Sequence, residues 1–164
     1  AGLALSRQNL PVIDRTVHAQ ATGVAKGGYV LIDGGPDGTQ APEVVLIATG
    51  SEVSVALAAR ALLEKAKVRT RVVSMPCREW FEEQPARYRQ SVLPPSVRAR
   101  VSVEAGVAQG WRDLVGDAGR CISIEHFGAS ADGATLYREF GITAEAVAKA
   151  AKESLKQAAQ EARS

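Results

Sequence analysis

"EVVLIATG" occupies residues 43–50 and decides the fold. It is a continuous apolar run bounded by Pro42 and Gly50. Such a run suits a central parallel strand covered on both faces. Ser51 follows as a helix N-cap, with Glu52 well placed in the first turn of a helix predicted over 52–66. Val53, Val55, Leu57, Leu62, Leu63 and the alanines among them leave little polar surface, so this helix is expected to be largely buried. "RTRVVSM" (69–75) then reads as a second strand, stopped by Pro76. Strand, helix and strand in this order form the unit of a parallel sheet with a right-handed crossover.

Working downstream, a helix is predicted over 79–89, carrying Trp80, Phe81, Tyr88 and Arg89, and Pro94–Pro95 break the chain. "ARVSVEA" (99–105) is a further strand. Trp111 to Val115 is a short helical turn ended by Gly116. "RCISIEHF" (120–127) alternates and reads as the next strand. The loop "GASADG" (128–133) leads into a short helix at 134–140, and Thr143 caps a terminal helix to about 162. Val147, Ala151, Leu155 and Ala158 share one stripe of that helix. Upstream, "GYVLID" (28–33) is a strand and "GGPDGTQAP" (34–42) a turn-rich loop. Residues 3–6 look like a strand end, and 7–27 read as a connector, whose length suggests a linker between domains. The whole predicts an α/β fold: a three-layer α/β/α sandwich on a mostly parallel sheet of about five strands.

Composition narrows the function. The 164 residues suffice for one domain with a real core, and the net charge is only +2. A nucleic-acid partner that relies on phosphate neutralisation calls for a clear basic stripe, which is lacking. No apolar stretch approaches the roughly 20 residues of a membrane span. Cys77 and Cys121 lie far apart without CxxC spacing and read as reduced, intracellular thiols, which sets the expected location as cytoplasmic. A chain that begins at Ala1 in mid-strand reads as a piece of a longer one.

No complete catalytic set is visible, and no metal or cofactor site. His18 and His126 stand in no metal-ligand spacing and read as surface or hydrogen-bonded structural residues. "ATGSEVS" (48–54) joins a strand to a helix N-terminus, where free N–H groups can hold an anion, although every α/β unit has such a turn. Glu104, inside a strand, must be paired, hydrogen-bonded or neutral; an ion pair or a strand-end hydrogen bond is the simpler expectation. Trp111, Phe127, Tyr137 and Phe140 are read as core or subunit-contact aromatics. Arg7 ends the first strand, where its planar fork of donors fits a phosphate or carboxylate, with Gln8 and Asn9 beside it to hold it in place.

These stretches together resemble the C-terminal portion of transketolase. "LALSRQNLPVIDR" (3–15), "GGYVL" (27–31), "VVLIATGSEVSVAL" (44–57), "VRTRVVSMPCREWFEEQPARYRQSVLPP" (68–95), "ARVSVEAG" (99–106), "GW" (110–111) and "FGASADGATLYREFGITAEAV" (127–147) occur in that family's order, up to about residue 152. SRQNL and the run from Phe127 to Thr143 are its specific marks. Cys77, Asp132 and His126 depart from the commoner family residues without touching the chemistry.

The resemblance implies an enzyme that uses thiamine diphosphate and Mg2+. It moves a two-carbon ketol unit from a ketose phosphate to an aldose phosphate, in the pentose phosphate pathway or the Calvin cycle. It works as a homodimer with cofactor sites upstream of this chain. Residues 1–24 then correspond to the end of the pyrimidine-binding domain and a linker, and 25–164 to the family's C-terminal domain. The arginine of the SRQ motif binds the substrate's phosphate and maps onto Arg7, which answers why polar residues crowd a strand end there. The partners implied are sugar phosphates, the protein's own N-terminal domains and a second subunit; the isolated piece is expected to bind no cofactor and to be inactive. Two other readings stand beside this one: a free-standing α/β anion- or nucleotide-binding regulatory module, and the third domain of another thiamine diphosphate enzyme.

Overall fold

The central apolar run forms the middle of a five-stranded sheet in the computed structural model, which describes residues 2, 5, 6 and 8–161. The strands are β1 (Tyr29–Ile32), β2 (Val44–Ala48), β3 (Thr70–Ser74), β4 (Arg100–Val103) and β5 (Arg120–Ile122), in the spatial order β1-β3-β2-β4-β5. β2 pairs in parallel with β3 on one side and β4 on the other, and β5 extends the parallel set beyond β4. β1 runs antiparallel at the β3 edge, with an irregularity between Val30 and Ile32. Every residue of β2 is buried, as expected for a strand with helices on both sides.

The alternation along β2 divides the core. Val44, Leu46 and Ala48 join Val72, Val101 and Val103 on one face, under α1 (Glu52–Lys65) and α6 (Ala144–Glu161). Val45 and Ile47 join Val73 on the other, under α2 (Arg78–Glu82), α3 (Ala86–Val92) and α4 (Arg112–Val115). This is the predicted three-layer sandwich. Full burial of a Val or Leu side chain contributes roughly 1.5–3 kcal/mol, so β2 and its neighbours carry much of the stability. The stripe on α6 includes Val147 and Ala151 as expected, and also Ser154, whose hydroxyl donates to the Ala118 carbonyl (2.6 Å) and accepts from the Arg100 N–H (3.1 Å). A polar side chain is tolerated at that buried position because both of its hydrogen-bonding roles are filled.

Several expectations need correction. The helix predicted over 79–89 is two helices, α2 and α3, because Pro85 has no N–H to donate and disfavours helical geometry at Gln84. The strand predicted over 120–127 stops at Ile122, since β4, the strand it pairs with, itself ends at Val103. α1 is less buried than expected: Val53, Ala56, Ala59 and Leu63 face inward, while Ala58, Ala61 and Leu62 face out of the sandwich. The connector contains a 3-10 helix, Ala21–Lys26. Leu5 and Ser6 lie in no strand, since no described neighbour supplies the ladder a strand needs; Leu3, Ala4 and Arg7 lie outside the described residues.

Candidate functional site

The chain leaves β2 and reaches β3 through α1 on one face. It then returns past β2 to β4 through α2 and α3 on the other face. The connections from β2 and β3 thus diverge, and a crevice opens between the carboxyl ends of β2 and β4. In open α/β sheets this switch point is the usual ligand site. The residues that follow β2 here are Thr49, Gly50, Ser51 and Glu52; the residue that follows β4 is Glu104.

The crevice is closed by a side chain from α5 (Gly133–Glu139). Asp132 caps that helix by accepting from the Thr135 N–H at 2.9 Å. One turn in, Tyr137 aims its hydroxyl at the start of α1, where it donates to Glu52 Oε1 and lies 2.8 Å from Ser51 Oγ. Ser51 in turn donates to Glu52 Oε1 at 3.1 Å. From the other side Gln8 Nε2 donates to the Tyr137 hydroxyl at 3.2 Å. Glu52 is only 4% exposed, so its carboxyl depends on these two hydroxyls. Burial chiefly, and the Glu52 carboxyl next, push the Tyr137 phenol above its ordinary range.

Glu104 stands beside this network without joining it. Its Oε2 is buried and has no hydrogen-bond partner among the described residues. Burial first, and the charge of Glu52 second, push its carboxyl up to about 7. The neighbour is another acid, so the expected ion pair is absent among the described residues, and burial favours the protonated carboxyl. In the turn at 48–54 three of the N–H groups are already used within the chain. The N–H groups of Glu52, Val53 and Ser54 are turned back onto the carbonyls of Thr49, Gly50 and Ser51 at 3.1–3.4 Å.

Ser51 sits at the N-cap position of α1, yet its side chain makes no capping bond; it is diverted to Glu52 and Tyr137. His18 bonds through Nδ1 to the Asp14 carbonyl at 2.9 Å, and His126 through Nδ1 to the Phe127 carbonyl at 2.7 Å with its ring against Phe140. Both are hydrogen-bonded surface residues, as read from the sequence. Cys77 and Cys121 are free, and Trp111 is a core residue. Phe127, by contrast, is 98% exposed. No cluster of His, Cys, Asp and Glu among the described residues has the makings of a metal site, and no helix is long and apolar enough to cross a membrane. Arg7, the one site residue named from the sequence, lies outside the described residues; its neighbour Gln8 lies inside and is anchored in the network. Sequence reasoning missed the role of Tyr137, whose only signal was a polar aromatic in a short helix following a glycine-rich loop.

Fold and crevice together define a doubly wound α/β domain whose switch point is sealed by its own side chains. The family model described as "Transketolase-like TK C-terminal domain" matches residues 27–143. Transketolase from Mycobacterium leprae is 60% identical over 154 residues, which is 94% of this chain and 22% of the relative. Chloroplastic transketolase from Solanum tuberosum is 51% identical over 151 residues, 92% of this chain and 20% of the relative. Among solved structures, a Pichia stipitis transketolase in complex with sedoheptulose-7-phosphate superposes with a TM-score of 0.79 at 32% identity, over 92% of this chain and 20% of that one. The chain belongs to the transketolase family and corresponds to its C-terminal domain. It spans about a fifth of the length of these curated relatives.

Proposed function

We propose that this chain is the C-terminal part of a transketolase that transfers a two-carbon ketol unit from a ketose phosphate to an aldose phosphate. The observation that carries the reading is the 60% identity to a curated transketolase across 94% of the chain. In this reading residues 1–24 are the end of the pyrimidine-binding domain with its linker, and 25–164 are the third domain. Exposed apolar side chains at Leu5, Leu10, Val12 and Phe127 support contact with further protein, either upstream domains or a second subunit of a homodimer.

The described residues of this chain do not fit thiamine diphosphate or its Mg2+. The crevice offers acids and no cation to a diphosphate, it is filled by Tyr137 and Gln8, and no cluster among the described residues could hold a metal ion. Both cofactors therefore belong to the upstream domains, and the isolated 164 residues are inactive alone. The enzyme works in the cytoplasm.

Arg7 is the residue of this chain that touches substrate. Its guanidinium binds the distal phosphate of the sugar, which aligns the carbonyl with the reacting centre held elsewhere. A charge-assisted contact of this type contributes roughly 1.5–3 kcal/mol, or about a tenfold to hundredfold effect. Arg7→Ala in the full-length enzyme is expected to raise KM for phosphorylated sugars by about that factor. Steady-state kinetics with phosphorylated and unphosphorylated donors tests it; equal losses for both donors would exclude the assignment.

A further inference from the structure

α5 lies across the carboxyl end of the sheet as a strap. None of its residues is fully buried, and the stretch before it, residues 125–132, is exposed throughout. After it, Gly141 takes a positive φ of 73° before the chain enters the core at Ile142. The ring of Tyr137 packs against the core under α1 and α6. Among the described residues, the hydrogen bonds that tie 126–140 to distant parts of the chain all involve the Tyr137 hydroxyl, with Ser51, Glu52 and Gln8 as partners.

That hydroxyl sits on one of two neighbouring acids. Val103 pairs with Ala48, so Glu104 leaves the sheet beside the turn that carries Ser51 and Glu52. The groups that face Glu104 can be named element by element. The Glu52 carboxyl comes from α1, with the Tyr137 phenol from α5 bound to it. From β5 the Ile122 carbonyl accepts the Glu104 N–H at 3.0 Å, and Gly106 lies beside Oε1. Glu125, beyond β5, spends its carboxylate on the Ala108 N–H and the Ser123 hydroxyl. No cation among the described residues acts on Glu104. With a proton on Glu104, a single anion, Glu52, is answered by two hydroxyls. Once that proton leaves for solvent, a second anion stands beside the first, and its buried Oε2 has no donor. Like charges repel strongly where water is scarce. Tyr137 closes the crevice, so lifting it admits water to both carboxyls.

We propose that α5 is a pH-sensitive latch on the switch-point crevice: Tyr137 seats it on Ser51 and Glu52, and the proton on Glu104 keeps it seated. Burial, and then the charge of Glu52, raise the Glu104 carboxyl to about 7 in the seated form, and an opened crevice returns it toward 4.5. The hold that this proton exerts is therefore complete below about 4.5, is lost progressively up to about 7 and is absent above.

Amide hydrogen exchange in the full-length enzyme tests the latch, followed in peptides covering residues 128–141 and corrected for the intrinsic pH dependence of exchange. Protection there should fall about fivefold between pH 5 and pH 8 while β2 and β3 keep theirs, a charge repulsion discounted for the water that already reaches part of Glu104. Glu104→Gln keeps the shape of the side chain and cannot ionise; it should hold the pH 5 protection at both pH values. Tyr137→Phe removes the hydroxyl and keeps the ring, and should lower protection at pH 5 as well as at pH 8. Equal protection of 128–141 in the wild type at the two pH values would overturn the latch, because Glu104 would then relieve its charge by turning to solvent alone. A fall in Glu104→Gln as deep as in the wild type would do the same. So would an equal loss of protection in β2, which would mean that the whole domain opens and not the strap.

Discussion

The two ends of the sheet bury charge in opposite ways. At the amino end of β3, Arg71 is buried and every direction of its fork is answered. Nε and Nη2 meet the Asp33 carboxylate at 3.0 and 2.6 Å, and Nη1 donates to the carbonyls of Ser91 and Val92 at 2.7 and 2.9 Å. Nearby, Arg60 donates to the carbonyls of Thr70, Asp33 and Gly35. Arg100, at the start of β4, donates to those of Val97, Leu114, Leu93 and Pro94. At the carboxyl end the buried ionisable groups are acids. One of them, Glu52, needs two hydroxyls, and the other, Glu104, has an oxygen with no partner. The amino end ties loops to the sheet with satisfied cations. The carboxyl end carries electrostatic strain, as α/β domains do where their chemistry is usually sited.

The largest expected effect breaks the satisfied end. Arg71→Met leaves Asp33 without its partner and two carbonyls without a donor. Removing one member of a buried pair costs about 3–5 kcal/mol; Asp33 keeps some access to water, which puts the loss near 3 kcal/mol. Urea denaturation of the wild type and variant measures it. A loss below about 1 kcal/mol would mean that the pair behaves as a surface ion pair, and the contrast between the two ends would disappear.

Next comes the strained end, tested through pH. Glu104 has its carboxyl raised from an ordinary 4.5 to about 7, so the fold favours its protonated form. The stability linked to that proton is present in full below about 4.5. It is lost progressively as pH rises to about 7, and stays lost above. Glu104→Gln removes the dependence. The variant should match the wild type near pH 4.5 and exceed it at pH 8. Because water reaches part of the carboxyl, the gain is roughly 1 kcal/mol and not the several implied by full burial. Thermal unfolding at the two pH values checks it; a variant less stable than wild type at pH 8 would show that Glu104 has a partner after all.

The same contrast marks what could be read from the sequence. The unit β2–α1–β3 was legible because its signals are local: an apolar run too short for a helix, a turn, a helical stretch and a proline stop. The three layers followed from the repetition of that unit. The aromatic pattern over 79–89 runs across Pro85, whose missing N–H is the local signal that separates α2 from α3. Alternation at 120–127 persists after the partner strand has ended, whereas β5 stops where its neighbour does. In the site, Arg7 and Gln8 stood out as polar residues at an apparent strand end. Tyr137 did not, because its role arises from contacts with residues 85, 86 and 129 positions away in the chain. Glu52 reads in the sequence as a helix-dipole partner, which its position in the first turn of α1 also supports. Only the fold turns it inward. Buried networks built from distant parts leave no periodic trace, whereas layers do.

The smallest expected effect asks whether the amino end is as relaxed as its hydrogen bonds suggest. α1 and α5 end in the same motif. After α1, the N–H of Val68 reaches the Leu63 carbonyl (3.0 Å) and that of Lys67 reaches Glu64 (2.9 Å); after α5, Ile142 reaches Tyr137 (2.8 Å) and Gly141 reaches Arg138 (3.2 Å). The pivot residue must adopt positive φ, and it is Gly141 at 73° in one case but Lys67 at 61° in the other. A side chain in this conformation costs roughly 1–2 kcal/mol. Glycine relieves that strain but loses about 0.5–1 kcal/mol through the freedom of the unfolded chain. Lys67 is exposed, so Lys67→Gly should stabilise by about 0.5 kcal/mol, raising Tm by roughly 1–2 °C. Scanning calorimetry resolves a shift of that size. A gain larger than that of Glu104→Gln at pH 8 would place the greater unrelieved strain at the amino end and reverse the comparison.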